Sequence, residues 1–60
     1  MTIKQCRKLT GKTCDEFAKD LGISTKLYMY YESNQRLVPI DMAKKISKIT
    51  GISYDVIFFD

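Results

Sequence analysis

Lys26 and Tyr30 stand four residues apart, with Thr25, Leu27 and Met29 around them. In a helix each residue advances by about 100°, so this spacing brings Lys26 and Tyr30 to one face, flanked by Leu27, Met29 and Ser33. An ammonium and a phenol are hydrogen-bond donors, Thr25 adds a hydroxyl, and leucine and methionine offer apolar contact. A second polar group, Asn34, Gln35 and Arg36, follows directly. These side chains are suited to holding and orienting a partner rather than to breaking bonds.

The rest of the composition argues against catalysis. The chain has no histidine and only two cysteines, Cys6 and Cys14. It has no recognisable carboxylate pair and no Gly-rich phosphate loop. Cys6 and Cys14 do not have metal-ligand spacing, so no metal, cofactor, small-molecule ligand or enzymatic activity is expected. Cys6 reads as a core residue and Cys14 as the first residue of a helix. A helix N-terminus can acidify a thiol, but Cys14 has no neighbouring histidine or nearby second thiol to support redox chemistry.

Two short helices and a turn must position the candidate contacts. Thr13 and Glu16 have the S/T-x-x-E spacing of a capping box, which starts a helix at Cys14. Phe17, Ala18 and Leu21 share one face of that helix, and Gly22 closes it in left-handed geometry at about Leu21. Ser24 is a good N-cap for a second helix from Thr25 to about Ser33, and Ile23 with Tyr28 forms a hydrophobic staple. Ala18 is small enough to let two crossing helices approach.

With Tyr28 turned inward, Tyr31 and Glu32 lie on the same broad side and Tyr28 and Tyr31 read as core, leaving Lys26 and Tyr30 outward. Such a surface fits the major groove of duplex DNA. Lys26 can donate to guanine O6 and N7 or remain at a phosphate; Leu27 and Met29 can meet thymine methyls or cover the core edge; Tyr30 can meet a base or a phosphate. Thr25 sits at the positive end of its helix, which favours anions. Glu32 near the inner side needs a partner, because a buried unpaired carboxylate is costly, and Arg7 is the proposed one.

On these residues the chain resembles the Cro/C1-type (XRE) helix-turn-helix family of phage and bacterial repressors. The resemblance runs from Ile3-Lys4-Gln5-Cys6-Arg7 through Gly11, Phe17-Ala18, Gly22-Ile23-Ser24, Tyr28, Glu32 and Pro39 to Gly51-Ile52-Ser53-Tyr54-Asp55. It implies an all-α, compact five-helix lambda-repressor-like DNA-binding domain over residues 1–60. It also implies a recognition helix beginning near Thr25, an Arg7–Glu32 ion pair, and phosphate contacts from Thr13 and Cys14 and from Asn34, Gln35 and Arg36, with Ser33 beside them. Three positions depart from the family pattern. Lys12 replaces an apolar residue, and its stem can cover Phe17 or its ammonium can reach a phosphate. Asn34 replaces a frequent glycine, and asparagine tolerates left-handed geometry. Cys14 replaces a long amide, and a thiol is the weaker donor.

The remaining segments read as scaffold. Thr2 and Gln5 form another capping-box pattern, with Ile3, Cys6 and Leu9 assigned to one helical face. Asn34 to Val38 is a loop ended by Pro39. Asp41 helps start a helix with Ala43, Ile46 and Ile49 inward and Lys44, Lys45 and Lys48 outside. After Gly51, Ser53 caps a last helix. Val56, Ile57, Phe58 and Phe59 are more apolar than one short helix can bury. Ile57 and one phenylalanine complete the core, leaving the other and Val56 for a homodimer seam, unless both rings pack within the monomer. A twofold dimer would read a near-palindromic operator.

The chain of 60 residues carries 45% apolar and 28% charged residues, a formal charge of +3 and a pI of about 9.0. A domain of this length buries only about 60% of its unfolded surface, so its stability is modest. The charge suits a polyanion and is also common in small proteins without one. No stretch approaches the ~20 apolar residues of a membrane span and none resembles a signal peptide, so a cytoplasmic protein is expected. The expected activity is transcriptional regulation, with repression favoured. The competing expectation is a protein-interaction module on the same fold, an antitoxin or small inhibitor whose aromatic helix binds a protein.

Overall fold

Each helix start and stop can be traced to a local feature of the sequence. The computed structural model describes residues 1–59, and those residues contain helices but no strand. Helix α1 spans Ile3–Thr10, α2 Cys14–Leu21, α3 Thr25–Ser33, α4 Ile40–Thr50 and α5 Tyr54–Phe58, with a single 3₁₀ turn at Gln35–Leu37 between α3 and α4. The Thr2 hydroxyl accepts from the Gln5 amide while the Gln5 carboxamide accepts from Thr2, and Thr13 and Glu16 repeat the exchange at α2. Ser24 accepts from the Leu27 amide at 3.1 Å and caps α3. Gly22 ends α2 at φ 75°, a conformation that costs glycine little and would strain any other residue here. Lys45 of α4 adds a further cap, donating to the Leu21 carbonyl at 2.9 Å.

The core is drawn from all five helices. Ile3 and Cys6 of α1, Phe17, Ala18 and Leu21 of α2, Tyr28 of α3, Ile46 of α4 and Ile57 of α5 form one buried cluster. The Phe17 and Tyr28 rings pack 5.3 Å apart, tilted by 54°, and join the two helices on either side of the Gly22 turn. Ile23, Val38, Met42, Ile49, Ile52 and Phe58 close the edges.

The structure departs from the sequence expectation at Leu9, Tyr31, Asn34 and Ser53. Leu9 is 70% exposed rather than on the inner face of α1. Its six-residue offset from Ile3 rotates it about 120° off that stripe, and Arg7 and Thr10 take the inward side. Tyr31 is half-buried beside Tyr30, at a ring distance of 6.3 Å, and is not in the core cluster. Asn34 ends α3 at φ −131° rather than in left-handed geometry, so the absence of glycine there costs nothing. Ser53 occupies the N-cap position of α5 without a side-chain capping bond.

Candidate nucleic-acid interface

Helix α3 is held by its inner residues and displays the outer ones. Tyr28 is fully buried, whereas Lys26, Leu27, Met29 and Tyr30 are exposed, Met29 at 53% and Tyr30 at 48%. Four of the five residues proposed to meet bases therefore form a continuous outer face. Thr25 differs: it is half-buried, and its hydroxyl donates to Asp15 Oδ1 at 2.7 Å. The positive end of α3 thus already has an intramolecular anion.

Behind this face lies a compact polar brace. Arg7 Nε sits 2.9 Å from Glu32 Oε2, with both side chains largely covered, at 12% and 15% exposure. Arg7 Nη1 also donates to the Lys12 carbonyl at 2.9 Å, tying α1 to the segment that enters α2. Tyr28 completes the brace by donating to the same Glu32 oxygen. Burial, reinforced by that hydrogen bond, pushes the Tyr28 phenol far above its ordinary range, so it stays a donor. The Glu32 hydrogen bond likewise raises Arg7 further above its already high value.

The flanking candidates divide into outward and inward groups. Ser33, Asn34 and Arg36 are exposed; Ser33 donates to the Met29 carbonyl at 3.2 Å and the Asn34 carboxamide to the Tyr30 carbonyl at 3.3 Å. Gln35 does not point outward with them. Its Oε1 accepts from the Ile3 amide and its Nε2 donates to the Ile57 carbonyl, each at 2.9 Å, so its side chain clamps the start of α1 to the end of α5. Thr13 is exposed, with its amide and its hydroxyl lone pair engaged by Glu16. Cys14 is half-buried against the core, and Lys12 pairs with Asp20. Cys6 is fully buried, and that burial raises its thiol pKa.

Two capped helices meeting at a left-handed glycine, with the second presenting its outer face, are the geometry of a helix-turn-helix. A family model described as Helix-turn-helix matches residues 3–57. The chain belongs to the Cro/C1-type helix-turn-helix family. No curated protein and no solved structure matches it. This Cro/C1-type protein is accordingly a helix-turn-helix regulator whose domain binds double-stranded DNA, in a family whose domain is not enzymatic. Among the described residues, no helix is long and apolar enough to cross a membrane.

At the far end of the helix-turn-helix protein, the two terminal phenylalanines separate. Phe58 packs against the core, whereas Phe59 is 68% exposed beside exposed Val56. The Tyr54 ring lies 5.2 Å from Phe58 and 5.3 Å from Phe59, so Tyr54 links core and surface. Sequence reasoning overlooked Asp15, the Tyr28 hydroxyl and the inward turn of Gln35. Tyr28 and Glu32 had a visible signal, an i, i+4 pair on one helix; Asp15 and Gln35 act across turns and had none.

Proposed function

We propose that this protein is a repressor that binds a near-palindromic operator as a homodimer, with α3 in the major groove of each half-site. The observation that carries this reading is the division of α3: Tyr28 and Glu32 are held from behind, while Lys26, Leu27, Met29 and Tyr30 face out together. In this arrangement Lys26 donates to a base edge, Leu27 and Met29 meet thymine methyls, Tyr30 reaches a base or phosphate, and Thr25 lies at the groove entrance. Thr13 keeps its hydroxyl hydrogen for a phosphate, Cys14 offers its backbone, and Ser33, Asn34 and Arg36 approach the same strand, with Gln35 supporting their loop from within.

Exposed Val56 and Phe59, backed by Phe58, supply an apolar seam for the second copy. A twofold pairing there would set two recognition helices about 34 Å apart, one duplex turn. Repression follows where such an operator overlaps a promoter, because the occupied site is then closed to the transcription machinery.

A second reading has its own support. Leu27, Met29 and Tyr30 make the outer face unusually apolar for a groove reader, and aromatic residues and methionine are enriched at protein interfaces. Selection from a random duplex pool, followed by binding at several salt concentrations, separates the two. Enrichment of a palindrome with salt-dependent affinity supports the dimeric repressor. Absence of duplex binding even at low salt overturns it in favour of a protein partner.

A further inference from the structure

The hydrogen bond between Asp15 and Thr25 fixes which hydrogen-bonding groups the start of α3 can present. A threonine hydroxyl has one hydrogen and two lone pairs. Here the hydrogen is directed at Asp15 Oδ1, 2.7 Å away, so the outward side of the Thr25 oxygen carries lone pairs. Asp15 is exposed, and an ionised carboxylate has acceptors only. The carboxylate is anchored between two helix starts: it lies in the first turn of α2 and holds the first residue of α3. Both starts favour a negative charge, which suits the placement of this carboxylate between them.

We infer that Asp15 and Thr25 together form an acceptor-only edge that reads the amino group of a cytosine in the major groove. This rests on the reading that the outer face of α3 meets base edges. Phosphate is unfavourable beside this edge, because it is itself anionic and accepts hydrogen bonds. Guanine and thymine present O6, N7 or O4 acceptors on their own major-groove edges and offer the pair no hydrogen there. Adenine N6 is a donor, but its neighbour N7 would face the second acceptor. Cytosine N4 has a C5 hydrogen on its outer flank instead. Lys26, the next residue along α3, is exposed and offers the complementary donor to a guanine. Thr25 is therefore a specificity determinant positioned by Asp15, and not a phosphate contact.

The test is selection from a random duplex pool with the wild type, Asp15→Asn and Thr25→Val in parallel, each variant first matched to the wild type in helicity and melting. The wild type is expected to enrich cytosine at one position of each half-site. Asp15→Asn introduces an amide donor and is expected to lower that cytosine preference by about tenfold and move it toward guanine or thymine. Thr25→Val is expected to weaken the same position and no other. An unchanged base preference in Asp15→Asn overturns the inference while leaving groove recognition by α3 intact. Uniformly tighter binding on every sequence also overturns it, because Asp15 would then act only as a repulsive charge. A wild type that enriches no sequence overturns both this inference and the DNA-reading role of α3.

Discussion

Tyr28 donates its hydroxyl hydrogen to Glu32 Oε2 across 2.5 Å, and the same carboxylate oxygen accepts from Arg7 Nε at 2.9 Å. Glu32 is thereby held from its own helix and from α1 at once. The outer face of α3 is set in angle by this brace as well as by the apolar residues beneath it.

Removing either charged member should therefore cost more than removing the phenol oxygen. Arg7→Ala or Glu32→Ala leaves a largely covered charge without its partner. With some water reaching the pair, the expected loss is about 2–3 kcal/mol, below the ~3–5 kcal/mol of a fully buried one. Tyr28→Phe keeps the ion pair and the ring packing on Phe17, and should cost about 1 kcal/mol. Urea melts of the three variants measure the order, and unchanged midpoints in Arg7→Ala and Glu32→Ala would remove the brace from the account.

The same phenol gives the protein an alkaline weakness. Folding raises the Tyr28 pKa above its ordinary value of 10.0, mainly through burial and then through Glu32. A raised folded-state pKa stabilises fully below the unfolded value and loses that contribution as pH climbs beyond it, because the unfolded chain then releases a proton that the folded chain retains. Stability should fall progressively above about pH 10. The slope should be shallower in Tyr28→Phe, and melts of both proteins between pH 9 and pH 11, a range chosen to bracket the ordinary tyrosine value, would show whether it is.

Lys26 and Arg36 should differ in kind on DNA. If Lys26 donates to a base, Lys26→Ala weakens the selected operator by about 1–3 kcal/mol and spares random duplex. Arg36→Ala, at a phosphate, should weaken both alike and lower the salt slope by about one. Titrations on selected and random duplexes over a salt series measure both, and an equal loss on all sequences for Lys26→Ala would move it to the backbone.

Local sequence features identified most of this architecture. The starts of α1, α2 and α3, and the stops of α2 and α4 at Gly22 and Gly51, depend on residues within one turn of one another, so capping patterns located them. Leu9 is apolar, yet its rotation about α1 and not its character decides its exposure. Tyr31 has the aromatic character of a core residue, but the helix turns it toward the rim. Within the site, the i, i+4 face of Lys26 and Tyr30 was visible, whereas the Asp15–Thr25 bond and the Gln35 clamp arise only when separate helices come together.

Gln35 should tolerate little change. Gln35→Leu leaves the Ile3 amide and the Ile57 carbonyl without their partner and is expected to cost about 1–3 kcal/mol. Gln35→Glu keeps an acceptor for Ile3 but sets an oxygen against the Ile57 carbonyl, so it should rescue only part of the loss. Chemical denaturation of both variants tests the clamp, and wild-type stability in Gln35→Leu would show that water replaces it.

The same carboxamide has a place in the order of assembly. Its two strongest bonds join residues 32 and 22 positions apart, whereas the α2 and α3 pair meets across a single turn. Closing so long a loop costs chain entropy that a local turn does not, so the helix-turn-helix is expected to form first and Gln35 to fasten the outer helices afterwards. A bond made after the folding barrier governs how slowly the native protein opens rather than how quickly it forms. On that order Gln35 is expected to lengthen the lifetime of the folded state while lying two residues beyond the helix proposed to read DNA.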